Sequence, residues 1–237
     1  MAGPQDDDTG PRRARPYAND DEPETDTFGM AEAWDEDEAL EEGDAALDGL
    51  RAVARLAKLL PGINWFGAAG RPLTAAELTE AENYCAALGF FDTSIGGIAT
   101  WRQAADAVAD PDWSGELWQA EDQAHQALLE LAEQFLPVHD LHVALNHVSL
   151  RAGELALARA IEAVARVGLE DEELVKAAGQ AAAQAAYQAA LVLAVQAVGE
   201  AITGLDDGES HAFAAKFRLY EQGRWPLGLA GNTFSVF

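Results

Sequence analysis

The sequence predicts an all-α protein: a multi-helix bundle around one long alanine-rich helix, with a small C-terminal β-hairpin and a disordered acidic N-terminal tail. Three observations carry that expectation. The stretch Ala177–Gly199 holds no charged residue between Lys176 and Glu200, and about half of it is alanine, the strongest helix former. Apolar residues recur at helical spacing, with start and stop signals, through most of the chain from Asp44 onward. Residues 223–237 then change to two apolar runs around Gly231-Asn232, a hairpin signal.

A helix that is apolar nearly all round must be covered on most sides, which makes Ala177–Gly199 the central post of the bundle. Its length would also suffice to cross a bilayer. Against a membrane span stand the amides of Gln180, Gln184, Gln188 and Gln196, the near-neutral insertion energy of alanine, and the absence of a Lys/Arg-rich flank. Gln180, Gln184 and Gln188 share one helix face, expected to be its wet edge rather than a ladder bonded to a neighbour. The preceding acids, Glu170 to Glu173, fall in the first turn, where the helix dipole favours negative charge.

The formal charge of −26 is unevenly placed, with 17 of the 41 acids in residues 1–50 against Arg12, Arg13 and Arg15. Such a balance argues against nucleic acid and against an anionic membrane surface, because both need clustered Lys and Arg. It is compatible with a basic protein partner, a cation, or a charge that serves solubility. One cysteine, Cys85, excludes an internal disulfide and a cysteine-built zinc site. Residues 2–26 are mostly polar and contain no secretory apolar region, so the expected location is cytoplasmic.

Residues 1–43 form the tail, too poor in apolar groups to offset their ordering entropy, and 44–237 a single helical domain. The first helix is expected from near Asp44 to Pro61-Gly62. Thr74 and Glu77 make a capping box for a second helix, stopped at Gly89 and burying Leu78, Ala81, Cys85 and Leu88. Phe90-Phe91 should anchor a turn through Gly96-Gly97, before a helix from about Thr100 to Ala109 that buries Trp101, Ala105 and Val108. Asp110-Pro111 opens a helix to Gln134. Pro137 divides it from another running to Val167, and the short break predicts an antiparallel hairpin with Arg151 opposite Asp122. A last helix, about Glu209 to Gln222, carries Phe213, Phe217 and Tyr220, and Trp225 anchors the hairpin.

Two functional readings follow. No Gly-x-Ser-x-Gly elbow, His-Glu-x-x-His motif or phosphate loop occurs, which favours a non-enzymatic protein. The leading reading is an acidic binder that sequesters or inhibits a basic protein, like an immunity protein or antitoxin. Its contact residues would be Trp34, Asp35, Glu36, Asp37, Glu38, Glu41 and Glu42, an aromatic set among carboxylates. The alternative is a divalent transition metal or small ligand on the 112–167 hairpin. Folding that hairpin about Pro137 would bring Glu121, His125, His147 and Glu154 together, although Glu121 to His125 departs from the Glu-x-x-His spacing of di-iron bundles.

Overall fold

The computed structural model describes residues 36–109, 115–203 and 211–237. Seven helices and a three-stranded sheet make up these residues: α1 (Glu36–Leu59), a 3₁₀ turn (Leu60–Gly62), α2 (Ala75–Ala87), β1 (Ser94–Gly97), α3 (Trp101–Ala109), α4 (Gly115–Phe135), α5 (Val138–Arg166), α6 (Glu172–Thr203), α7 (Ala212–Glu221), β2 (Pro226–Ala230) and β3 (Thr233–Val236).

The alanine-rich helix α6 is the axis of the bundle, and α1, α3, α4, α5 and α7 all pack on it. Ala178, Ala182, Ala185, Ala186, Ala190, Leu191 and Ala194 are buried along its length. By length and composition Glu172–Gly199 would cross a membrane, yet 56% of its most apolar window is buried inside the protein. Small residues set the distance to α5: a Cβ on Gly153 would lie 3.2 Å from Ala183 Cβ, and one on Gly179 3.2 Å from Leu157 Cβ. The acid run before α6 starts the helix, with Asp171 Oδ1 accepting from the Leu174 amide at 2.9 Å and Glu172 and Glu173 in the first turn.

Several boundaries differ from the sequence expectations. Helix α1 begins at Glu36, eight residues before Asp44, so Glu36 to Glu42 lie in a helix. Glutamate, alanine and leucine are good helix formers, and acids at a helix start are favoured by the dipole. Trp34 and Asp35, with the rest of the expected tail to residue 35, lie outside the described residues, as do Asp110-Pro111 and the start expected there. Helix α3 buries Trp101, Ala104 and Ala107 rather than Trp101, Ala105 and Val108, and Phe91 stays 79% exposed.

The α4–α5 hairpin does not close on itself. The Pro137 break is where expected, but α5 packs on α6 and α1 while α4 packs on α6. The alanine surface of α6 admits both helices and takes the place each was expected to offer the other. Arg151 accordingly pairs with Glu154 on its own helix at 3.7 Å, not with Asp122.

The C-terminal hairpin forms as predicted, β2 antiparallel to β3 with a bulge at Leu227, and gains a third strand. Residues 94–97, expected in a turn, instead run parallel to β3 from Ser94↔Thr233 to Gly97↔Val236, giving the order β1-β3-β2. A Cβ on Gly96 would sit 2.9 Å from Thr233 Cγ2, so the glycine is what admits this pairing. Trp225 ties the sheet to itself through reciprocal bonds with Phe237 at 2.7 and 2.8 Å. Its ring packs against Phe66 and Trp101, whose neighbours include Tyr220 and Phe237.

Candidate functional site

The four residues of the metal reading do not converge. Glu121 is buried, and its Oε1 accepts from Tyr84 Oη at 2.5 Å and from Lys216 Nζ. His125, one turn further along α4, lies in a groove with Ser149, Gln180, Gln184, Tyr187 and Gln188. His147 lies against Leu50, Val53 and Ala54 of α1 instead. Glu154 is 71% exposed beside Arg151. Among the described residues no group of three or more His, Cys, Asp or Glu is placed to hold a metal ion. The physical reason is the open hairpin: α4 and α5 are each applied to α6, and across Pro137 the two helices meet close to the break, where His142 Nε2 and Glu133 Oε1 lie 3.0 Å apart, rather than at His125 and His147.

A buried polar network takes the place of that cluster. Lys216 of α7 is held by Glu121 and reaches Gln188 Oε1 of α6 at 3.4 Å, while Tyr84 arrives from α2. One carboxylate thus joins three helices to α6. The Tyr84 phenol is pushed well above its ordinary range by burial and by the Glu121 charge. Tyr220 is pushed the same way, by burial and then by Glu121, and its hydroxyl is enclosed with no hydrogen-bond partner. Gln188 is the inner end of the glutamine stripe, and Gln180 and Gln184 form the wet edge. Cys85 is buried, which pushes its thiol up to about 12 and leaves it protonated and unreactive near neutral pH.

Gln188, at the edge of this network, also lines the groove that holds His125. Glu121 and Lys216 are bonded to each other and to Tyr84 and Gln188, and such bonds offset part of the desolvation of a buried ion pair. The arrangement therefore positions helices. No family model, curated protein or solved structure matches the chain.

Other cations are also committed, most of them at the surface. Arg51, Arg151, Arg159, Arg166, Lys216, Arg218 and Arg224 are each paired with a carboxylate of the same chain. On the outward side of α4, Trp118 is 60% exposed and shares its face with the exposed Asp122 one turn on, while Glu130 is exposed further along the helix. Its neighbour Leu117 is buried, with Leu128 and Ala132 further along the helix. The acids of the partner reading, Glu36, Asp37, Glu38, Glu41 and Glu42, occupy the first turns of α1.

A second site was not legible at all. A cavity of about 710 Å³ opens between the loop after the 3₁₀ turn, the start of α3 and the end of α5. Its lining includes Arg71, Arg102 and Arg166 and no acidic residue. These arginines are separated by 31 and 64 positions in the chain, so nothing in the sequence joins them.

Proposed function

We propose that this chain is a non-enzymatic acidic binding protein that sequesters or inhibits a basic protein, in the manner of an immunity protein or antitoxin. The observation that carries the reading is the commitment of the cations. Most bases beyond residue 50 are neutralised inside the molecule by carboxylates of the same chain, two of them in the interior, so the surplus acids face solvent. A surface of that kind steers a basic partner and speeds its encounter, with a steep dependence on salt. The outward side of α4 supplies what charge alone lacks, a large aromatic anchor at Trp118 with Asp122 one turn along its face and Glu130 exposed further along the helix. Glu36, Asp37, Glu38, Glu41 and Glu42, with Trp34 and Asp35, are the other contact residues of this reading.

The test starts from a partner isolated with the tagged full chain at low salt and then purified. Calorimetry on the pair should give a 1:1 complex that weakens steeply as salt is raised from about 50 to about 300 mM. Trp118→Ala should weaken it about tenfold or more, and Asp122→Asn with Glu130→Gln should flatten the salt dependence. A complex indifferent to salt and to these substitutions overturns the proposal.

A further inference from the structure

The geometry points to a binding site for a small multivalent oxyanion, an organic phosphate or polycarboxylate, in the cavity lined by Arg71, Arg102 and Arg166. The inference stands apart from the basic-partner reading, since its charge has the opposite sign and its residues lie elsewhere. In a chain with 41 acids and 15 bases, a lining with three arginines and no carboxylate concentrates positive charge against the trend of the whole molecule. Arg71 and Arg102 have no carboxylate partner among the described residues, whereas Arg166 touches Glu162 at 3.7 Å, an acid it shares with Arg159. Guanidinium is weakly hydrated and presents paired donors that match phosphate and carboxylate oxygens, so three of them suit an anion with several such oxygens.

The walls are fixed before any ligand arrives. Arg71 sits on a loop whose carbonyls at Ala68, Arg71 and Pro72 are all held by the buried Arg224, at 2.5, 2.8 and 2.8 Å. Gly70, at φ +75°, lets that loop meet the next one: a Cβ there would lie 2.7 Å from Ala99 O. Phe66 holds a left-handed backbone at φ +58°, a strained state for an aromatic residue, in the wall of the cavity. On the opposite side Thr100 caps α3, its Oγ1 accepting from the Gln103 amide at 3.2 Å, and the hydroxyl proton is left to donate. Trp101 and Phe237 add apolar lining. Convergent positive charge on a braced backbone beside apolar lining, at this volume, is the pattern of a small-molecule site.

Inorganic pyrophosphate, ADP and citrate, titrated separately into the full chain at about 150 mM salt, test the site by calorimetry and Trp fluorescence. At least one should saturate a single site below about 1 mM. Pyrophosphate or ADP would identify the group as phosphate, and citrate as carboxylate. Arg71→Ala with Arg102→Ala should weaken binding about tenfold or more while the far-ultraviolet circular dichroism stays unchanged, since both side chains are exposed. Arg55→Ala, remote from the cavity lining, should bind as the parent does. No saturation by any of the three, or equal binding by the double variant and the parent, overturns the inference.

Discussion

Arg224 and Glu77 form a two-pronged ion pair, Nε to Oε1 at 2.8 Å and Nη2 to Oε2 at 3.0 Å, with the guanidinium only 2% exposed. The remaining Arg224 donors hold the Ala68, Arg71 and Pro72 carbonyls, and Glu77 Oε2 also closes the α2 capping box by accepting from the Thr74 amide at 2.6 Å. One pair therefore joins the C-terminal segment, the loop before α2 and the start of α2. Glu77→Ala leaves a buried guanidinium without its counter-ion and should cost about 3–5 kcal/mol in chemical denaturation. Arg224→Lys should lose most of the same stability, because an ammonium cannot reach two carboxylate oxygens and three carbonyls at once. Near-parental stability in both variants would show that the pair does not organise this end of the fold.

Glu121 and Lys216 are tied by a different logic, since neither serves a cap or a loop. Glu121→Leu should cost about 3–5 kcal/mol by stranding Lys216, whereas Glu121→Leu combined with Lys216→Met should recover most of that loss. The two nearby tyrosines should respond in opposite ways. Tyr84→Phe removes a hydrogen bond to Glu121 and should destabilise by about 1–3 kcal/mol, while Tyr220→Phe removes an enclosed, unpartnered hydroxyl and should be neutral or stabilising. Equal losses for both tyrosines would contradict this arrangement.

What the sequence made legible was local, and what it hid was not. The Thr74–Glu77 capping box, the Pro137 break and the Gly231-Asn232 hairpin each depend on residues a few positions apart, and each forms. The axial role of α6 was legible because its composition leaves only a narrow wet edge, at Gln180 and Gln184. Strand β1 was hidden, since Ser94-Ile95-Gly96-Gly97 becomes a strand only beside residues 233–236. The α4–α5 pairing was misread for the same reason: a short break fixes neighbours in sequence, but α6 decides which surfaces meet. Glu77, Glu121, Lys216 and Arg224 look like ordinary surface charges until partners 95 and 147 positions away arrive. Arg71, Arg102 and Arg166 are hidden in the same way.

Acid should weaken the fold through His211. Its Nδ1 accepts from the Phe213 amide at 3.2 Å at the start of α7, so the neutral ring is the form that caps the helix. Burial pulls its pKa below the ordinary 6.5, and His125 is shifted the same way by burial, against the opposing pull of Asp122 and Glu121. Below 6.5 the unfolded chain then binds protons that the folded chain refuses, so stability is complete above that pH and falls as pH drops through 6.5 toward the folded value. Glu221 acts in the opposite sense, its pKa raised by burial. His211→Asn isolates the histidine, since asparagine still caps but does not titrate. Urea midpoints for the parent should fall between about pH 7 and pH 5, and the variant should lose measurably less over that window. Parallel pH profiles would exclude His211 as a source.

Glycine within a helix ordinarily costs about 0.5–1 kcal/mol relative to alanine, so two helical glycines test whether close packing reverses that sign. Gly49 of α1 faces α6, where a Cβ would lie 2.9 Å from Leu136 Cδ2, 3.0 Å from the Ala194 carbonyl oxygen and 3.1 Å from Val198 Cγ2. The carbonyl belongs to a helix backbone and cannot swing aside, so α1 itself must move away from the axis. Gly49→Ala should therefore destabilise by about 1–3 kcal/mol despite the gain in helix propensity. Gly199, near the end of α6, meets nothing within 4 Å of a built Cβ, and Gly199→Ala should stabilise by about 0.5–1 kcal/mol. Thermal melts of the two variants beside the parent decide the matter. A Gly49→Ala variant as stable as the parent, or more so, would mean that α1 does not sit against α6 as closely as its glycine allows.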